Sequence, residues 1–197
     1  MSTSTVAKMA EIRWHGRGGQ GAKTASLLLA QAAFEIGAYM QAFPEYGPER
    51  MGAPVTAYTR ISSEPIRIHS NIYEPDVEVV IDHTLIGTVD VTSGLKEDSG
   101  ILLVNTPKDP EDVRQKTGFK GKVYTIDASQ IAMDEIGGNF PNTPMLAAVV
   151  RVTDILDEKK FVENMEGNFR KKFAHKLQVV DGNMRALKRA MQEVKGL

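Results

Sequence analysis

The sequence predicts a three-layer α/β/α domain with a mixed, mainly parallel sheet, an antiparallel hairpin within that sheet and a helical C-terminal extension. Three observations lead to this fold class. An apolar segment near the N-terminus runs through a glycine-rich turn into an amphipathic helix. Short apolar segments then alternate with amphipathic ones, which is typical of parallel strands covered on both faces. Residues 155–197 are highly charged and rich in helix-forming residues.

The first strand, Ile12–His15, ends in the glycine-rich turn Gly16–Gly21. Apolar residues after this turn recur at steps of three and four, which predicts a helix that ends at Gly37. These residues are Ala25, Leu28, Leu29, Ala32, Ala33 and Ile36. Because several of them are alanines, we expect the helix to lie close against the sheet.

A short extended run, residues 38–43, leads into a loop, residues 44–54, that is dense in proline, glycine and charged residues. Two strands are predicted beyond this loop, Val55–Ile61 and Pro65–His69. The connection between them, residues 62–64, is too short for a crossover helix. We therefore expect these two strands to form an antiparallel hairpin.

The middle of the chain contains apolar segments that predict buried parallel strands: Val77–Ile81, Ile101–Val104 and Lys122–Ile126. Short amphipathic helices are predicted between them, at residues 85–91 and 109–116. Asp127 follows the last of these strands and is placed to cap a helix that extends to Ile136.

Thr143 and Pro144 predict the start of a buried helix, Met145–Asp154, with a capping hydroxyl and a proline at the first helical position. An apolar seam follows in the C-terminal extension: Leu177, Val180, Met184, Leu187, Met191 and Val194. Such a seam either packs on its own domain or contacts a partner subunit, and the sequence leaves both open. We interpret residues 1–10 as a flexible tail and residues 11–197 as a single domain.

Composition restricts the class of protein. The 197 residues are 42% hydrophobic and 25% charged with a net charge of −1, which argues against disorder and against a dedicated nucleic-acid binder. The chain has no cysteine, which excludes disulfides, a thiol nucleophile and cysteine-ligated zinc or iron–sulfur clusters on this chain. No segment approaches the about 20 apolar residues of a membrane span, so we expect a cytoplasmic protein without a membrane segment.

The pattern Gly16-x-Gly18-x-x-Gly21, between a strand and a helix, indicates an anion-binding loop. Arg17 and Lys23 would add positive charge at the same point. An NAD site is disfavoured, because the proline-rich loop and the hairpin interrupt the second half of a dinucleotide fold. A loop that only makes a tight turn under a closely packed helix remains an alternative.

Two histidines, His15 and His83, are further candidates for a functional role. Asp82-His83-Thr84 follows a strand, where His83 is either an acid–base group or, as we favour, a hydrogen-bonded loop residue. His15 ends the first strand beside the glycine turn, and we favour a packing role for it. The histidines show no spacing typical of a metal site, so no metal site is expected on this chain.

Three segments together resemble the gamma subunit of the 2-oxoacid:ferredoxin oxidoreductases: IRWHGRGGQG at 12–21, FPEYGPERMGAP at 43–54 and NTPML at 142–146. The resemblance extends over residues 11–195. The stretch Arg50-Met51-Gly52-Ala53-Pro54 is similar to the pyruvate and branched-chain members, and we favour pyruvate over 2-oxoisovalerate.

The resemblance implies a role in the reaction of pyruvate, coenzyme A and oxidised ferredoxin to acetyl-CoA, CO2 and reduced ferredoxin. It places thiamine diphosphate and the [4Fe–4S] clusters on partner subunits, so the isolated chain is expected to be inactive. The implied partners are the alpha, beta and ferredoxin-like delta subunits, with ferredoxin as electron acceptor.

For the chain itself, the resemblance implies a share of the coenzyme A site and no catalytic residue. The residues that match the family's coenzyme A contacts are Gly18, Gly19, Gln20, Gly21, Ala22, Arg50, Asn105 and Asn142. The competing interpretation is a purely structural subunit, whose glycine loop only packs against partner chains.

Overall fold

A mixed sheet organises the structure, a computed structural model that describes residues 9–45 and 51–196. Its strands in this part of the chain are β1 (Ala10–Arg17), β2 (Tyr39–Pro44), β3 (Pro54–Ser62), β4 (Val77–Val80), β5 (Ile101–Asn105), β6 (Lys122–Ile126) and β7 (Lys195–Gly196). The order across the sheet is β2-β3-β1-β4-β5-β6-β7. β1, β4, β5 and β6 are parallel, whereas β2, β3 and β7 join antiparallel to their neighbours.

Helices flank this sheet. They are α1 (Ala22–Glu35), α2 (Pro110–Thr117), α3 (Ala128–Ile136), α4 (Asn142–Thr153), α5 (Glu158–Lys172) and α6 (Leu177–Glu193), together with a single 3-10 turn at His83–Leu85. The predicted fold class is therefore confirmed: a mixed α/β sheet with helical layers and C-terminal helices. Asp127 caps α3 as predicted, because its Oδ1 accepts the Gln130 N–H at 3.0 Å.

The predicted hairpin between residues 55–61 and 65–69 is wrong. β3 pairs with β2 on one edge and with β1 on the other, so it has no free edge for a third strand. Residues 65–69 form no strand. The Gln41 Nε2 donates to the carbonyl of Ile68 at 2.9 Å there. The hairpin exists, but its strands are β2 and β3, joined by the long loop.

Two further local predictions are corrected. Residues 85–91 do not form a helix, because the 3-10 turn ends at Leu85 and Gly87 adopts a φ of +93°. Thr143 does not cap a helix. α4 begins at Asn142, one residue before Thr143, so Thr143 lies within the first turn of the helix. Its hydroxyl is buried there and donates to Asn183 Oδ1 at 3.1 Å. A proline at 144 is still within the first turn, where it costs no hydrogen bond.

The main core lies between the sheet and five of the helices and includes the fully buried Trp14. The Trp14 indole donates to Thr59 Oγ1 at 3.0 Å, and that hydroxyl donates to the Ser26 carbonyl of α1 at 3.1 Å. A smaller apolar cluster lies on the opposite face and includes Leu102, Val104 and, from α2, Val113. These two clusters bury both faces of the parallel strands.

The C-terminal helices belong to the main core. Val180, Met184 and Leu187 of α6 are buried there, while Leu177 at the start of the seam is 58% exposed. The seam therefore packs mainly on its own domain. At the other end, Ala10 is buried in β1, and residues 1–8 lie outside the described part of the chain. None of the helices among the described residues combines the length and apolar character needed to cross a bilayer.

Candidate functional site

The glycine loop, residues 16–21, connects the end of β1 to the start of α1. Gly19 and Gly21 have φ values of +94° and +86°, a left-handed backbone that favours glycine. Gly16 is needed for another reason: a Cβ there would lie 3.1 Å from the Cβ of Ala22. The glycines thus serve both the turn and the close approach of α1 to the sheet.

Backbone hydrogen bonds attach the glycine loop to the segment before β3. The Gly18 N–H donates to the Ala53 carbonyl at 2.9 Å, and the Gly52 N–H donates to the Gly18 carbonyl at 3.1 Å. The Gln20 N–H closes the turn on the Arg17 carbonyl at 3.0 Å. Two backbone hydrogen bonds therefore tie the glycine loop to the residues just before β3.

Asp82, just beyond β4, binds side chains of the loop. Its Oδ2 accepts from Gln20 Nε2 at 2.6 Å and from Arg17 Nε at 3.1 Å, and its Oδ1 accepts from the Thr84 N–H at 2.9 Å. Burial acts to raise the pKa of Asp82, but the hydrogen bonds from Thr84 and Gln20 and the charge of Arg17 together lower it below its ordinary value. The Arg17 charge is thereby neutralised by a carboxylate, contrary to its expected role as an added cation.

A cleft of about 400 Å³ opens over the glycine loop. It is lined by Arg17, Gly18, Gly19, Gly21, Ala22, Lys23, Thr24, Met51 and Val55. No side chain caps α1, whose N-cap is Gly21, so the N–H groups of its first turn are left for solvent or a ligand. Lys23 is exposed and forms no ion pair with any described residue. Amide dipoles and one free ammonium give this cleft positive character.

Asn142, the first residue of α4, lies against the glycine loop. A Cβ built on Gly21 would be 3.4 Å from the Asn142 Cβ. The Asn142 amide makes no hydrogen bond with the described residues, and it lines a second cleft of about 770 Å³ that also contains Thr24. The tertiary structure thus brings this predicted site residue, distant in sequence, to the predicted loop.

Asn105 occupies a different position. Its Nδ2 donates to the Ile81 carbonyl and to Ser129 Oγ, each at 2.9 Å, and its Oδ1 accepts the Ser129 N–H at 3.2 Å. The side chain is buried at the carboxyl end of β5 and lines neither cleft. It joins β4 to α3, while Arg50, the remaining predicted contact, lies outside the described residues.

A buried charged cluster beside the loop was not predicted. Glu78 of β4 is fully buried, forms an ion pair with Arg13 and contacts the Nε2 of His15 at 2.9 Å. Burial raises the pKa of Glu78, against the opposing effects of His15 and Arg13. The available signal was a glutamate inside the otherwise apolar strand Val77–Val80.

The two candidate histidines lie in different surroundings. His15 packs in the sheet through its contact with Glu78. His83 is exposed and its side chain makes no hydrogen bond with the described residues, so the favoured interpretation of a hydrogen-bonded loop residue is wrong for this side chain. Across residues 9–45 and 51–196, no group of three or more metal-ligating side chains comes together.

The model of the pyruvate ferredoxin/flavodoxin oxidoreductase family matches residues 11–193. The chain belongs to this family. It is 56% identical to pyruvate synthase subunit PorC of Thermotoga maritima, over 95% of this chain and 96% of that one. It is 52% identical to the pyruvate/ketoisovalerate oxidoreductases common subunit gamma of Thermococcus kodakarensis, over 82% of this chain and 87% of the relative.

Solved structures agree. The crystal structure of pyruvate oxidoreductase subunit PORC from Thermotoga maritima matches with a TM-score of 0.84 and 52% identity, covering 96% of this chain and 99% of that one. A 2-oxoglutarate:ferredoxin oxidoreductase from Magnetococcus marinus, with 2-oxoglutarate, coenzyme A and succinyl-CoA bound, matches with a TM-score of 0.72. At 22% identity, over 94% of this chain and 31% of that one, it shares the fold.

These findings confirm the resemblance drawn from the three sequence segments. The chain is a gamma-type subunit of a 2-oxoacid ferredoxin oxidoreductase, and so part of a multi-subunit oxidoreductase.

Proposed function

We propose that this chain is the gamma subunit of a pyruvate:ferredoxin oxidoreductase and that its glycine loop forms part of the coenzyme A site. The observation that carries the proposal is the uncapped N-terminus of α1, which opens into a cleft with the free Lys23 ammonium. The unpaired Asn142 amide lies beside Gly21 and lines the neighbouring cleft. Coenzyme A has a pyrophosphate and a ribose phosphate. Backbone N–H groups at a helix start, with a nearby cation, suit such a group.

The proposed contacts divide into two kinds. Gly18, Gly19, Gln20, Gly21 and Ala22 would bind through the main chain, because the glycines allow a ligand close to the backbone. Asn142 would bind through its amide. Arg50 remains a predicted contact. Asn105 is proposed to act indirectly, since its buried amide already bonds to the Ile81 carbonyl.

Thiamine diphosphate and the [4Fe–4S] clusters would be carried by partner chains. The absence of cysteine on this chain supports that division for the clusters, whose ligands are thiolates. The proposed partners are the alpha, beta and delta subunits, with ferredoxin as acceptor, in the cytoplasm. The role of this chain is then to hold the coenzyme A thiol near an acyl group formed elsewhere, which is catalysis by positioning.

A second candidate follows from the names of several relatives. Those of Thermococcus kodakarensis and Pyrococcus abyssi are common gamma subunits of pyruvate and ketoisovalerate oxidoreductases. We therefore also propose that this chain can serve a 2-oxoisovalerate enzyme, with the choice of oxoacid made by partner chains. Purification of the complex from its host identifies the associated chains, and assays with both oxoacids separate the two candidates.

The coenzyme A proposal is tested on the assembled complex. Lys23→Glu places a negative charge beside the helix start, and we expect the KM for coenzyme A to rise about three- to tenfold. Lys188→Glu is the matched control, because Lys188 is also an exposed helical lysine but belongs to α6. If Lys23→Glu combined with Asn142→Ala leaves this KM unchanged, the purely structural alternative is favoured.

A further inference from the structure

The carboxylate of Asp82 joins two parts of the molecule that are far apart in sequence. Its Oδ2 accepts from Gln20 Nε2 at 2.6 Å and Arg17 Nε at 3.1 Å. Its Oδ1 accepts from the Thr84 hydroxyl at 2.6 Å and from the Thr84 N–H at 2.9 Å. Both oxygens are thus occupied by donors, and the carboxylate connects the end of β4 to the glycine loop.

Gln20 transmits this connection to the loop backbone. Its Oε1 accepts the Arg17 N–H at 2.8 Å, and its own N–H donates to the Arg17 carbonyl at 3.0 Å. The Gln20 side chain therefore spans the turn and is fixed at its far end by Asp82. Without that acceptor, only the hydrogen bond from the Arg17 N–H holds the Gln20 amide across the turn, and residues 17–20 lose a restraint.

A carboxylate near an anion site would ordinarily repel the anion. Here Arg17 compensates the Asp82 charge, and the Arg17 guanidinium is anchored further by the Gly52 carbonyl at 3.1 Å and the Thr84 hydroxyl at 3.0 Å. The electrostatic effect and the positioning effect of Asp82 consequently predict opposite results for its neutralisation. Loss of repulsion would strengthen anion binding, whereas loss of the loop restraint would weaken it.

We propose that Asp82 is a positioning residue that acts through Gln20 to hold the glycine loop in the conformation that presents its amides to the ligand. The identity of the ligand as coenzyme A rests on the proposed function. The hydrogen bonds between Asp82, Gln20 and Arg17 do not depend on the proposed function. Asp82→Asn is the informative variant, because an asparagine offers one oxygen and one NH2 where the structure requires two acceptors.

The kinetic test uses the assembled complex with Asp82→Asn, Gln20→Ala and the double variant. We expect each single variant to raise the KM for coenzyme A about tenfold with kcat nearly unchanged, and the double variant to add little. Asp127→Asn is the matched control, since Asp127 is an aspartate cap at another strand end, and we expect the KM to stay unchanged. A lower KM in Asp82→Asn, or fully additive effects with Gln20→Ala, would overturn the proposal.

A second measurement does not depend on coenzyme A. Amide hydrogen exchange on the isolated chain should accelerate about tenfold at Arg17 and Gln20 in Asp82→Asn, and not in Asp127→Asn. Unchanged exchange overturns the role of Asp82. If exchange accelerates while every loop variant leaves the KM for coenzyme A unchanged, the restraint on the loop is supported and the coenzyme A assignment fails.

Discussion

Replacing Gly21 by alanine strains the glycine loop without filling its cleft. Gly21 has a φ of +86°, and an added Cβ would meet the Asn142 Cβ at 3.4 Å, an ordinary van der Waals contact. The cost is therefore mainly the left-handed backbone of a non-glycine residue, about 1–2 kcal/mol. For a domain of this size, that corresponds to a fall in Tm of about 2–8 °C.

Gly37, at the other end of α1, provides the matched control. Its φ is +93°, and an added Cβ would meet nothing within 4 Å. Gly37→Ala should therefore cost about the same 1–2 kcal/mol of unfolding free energy, far from the cleft. The two variants introduce the same backbone strain at opposite ends of the helix.

Thermal denaturation of the isolated chain measures the stability of both variants, and steady-state kinetics of the complex measure the KM for coenzyme A. We expect similar falls in Tm but a rise in KM only in Gly21→Ala, because strain is relieved by movement of the amides that face the ligand. If Gly37→Ala raises this KM equally, or if Gly21→Ala leaves it unchanged, the reasoning from loop geometry is refuted.

Three further predictions follow from single residues. Asn105→Asp removes the donor to the Ile81 carbonyl and should lower the free energy of unfolding by about 1–3 kcal/mol, measured by urea titration; an unchanged value contradicts the bonding described. Burial raises the folded-state pKa of Glu78 above 4.5, so its stabilising contribution is complete below that pH and is lost as pH rises through the raised value. Glu78→Gln should abolish this pH-dependent part of the free energy of unfolding, measured by urea titration at a series of pH values. A contribution of Glu78 that increases with pH would disprove the raised pKa. Gly94→Ala would drive a Cβ into the Tyr73 carbonyl oxygen at a φ of +76° and should cost about 2–5 kcal/mol; a wild-type Tm would contradict it.

Local signals predicted much of the fold. The buried strands β4, β5 and β6 are apolar runs bounded by turn residues, and the Asp127 cap depends on neighbours three residues apart. Which strands pair with each other was harder to predict from the sequence. The strand predicted at residues 65–69 has suitable residues, but β3 already has neighbours on both edges, and strand propensity contains no information about free edges.

The candidate site divides in the same way. The glycine loop was recognisable from its own spacing, and Gly19 and Gly21 do adopt the positive φ that favours glycine. Asn142 was named through a resemblance and does lie beside Gly21. The sequence did not show that Arg17 is neutralised by Asp82, or that Asn105 is turned inward towards Ile81. Those outcomes depend on which side chains meet at the carboxyl ends of the parallel strands.

The sequence by itself determined the buried strands β4, β5 and β6, the glycine loop and the family to which the chain belongs, because each depends on residues close together in the chain or on short motifs. Only the tertiary structure decided the contacts of Asp82 with Gln20 and of Glu78 with Arg13. These pairs are separated by more than sixty positions, and a hydrogen bond or ion pair forms only when the packed sheet brings its two atoms within about 3 Å.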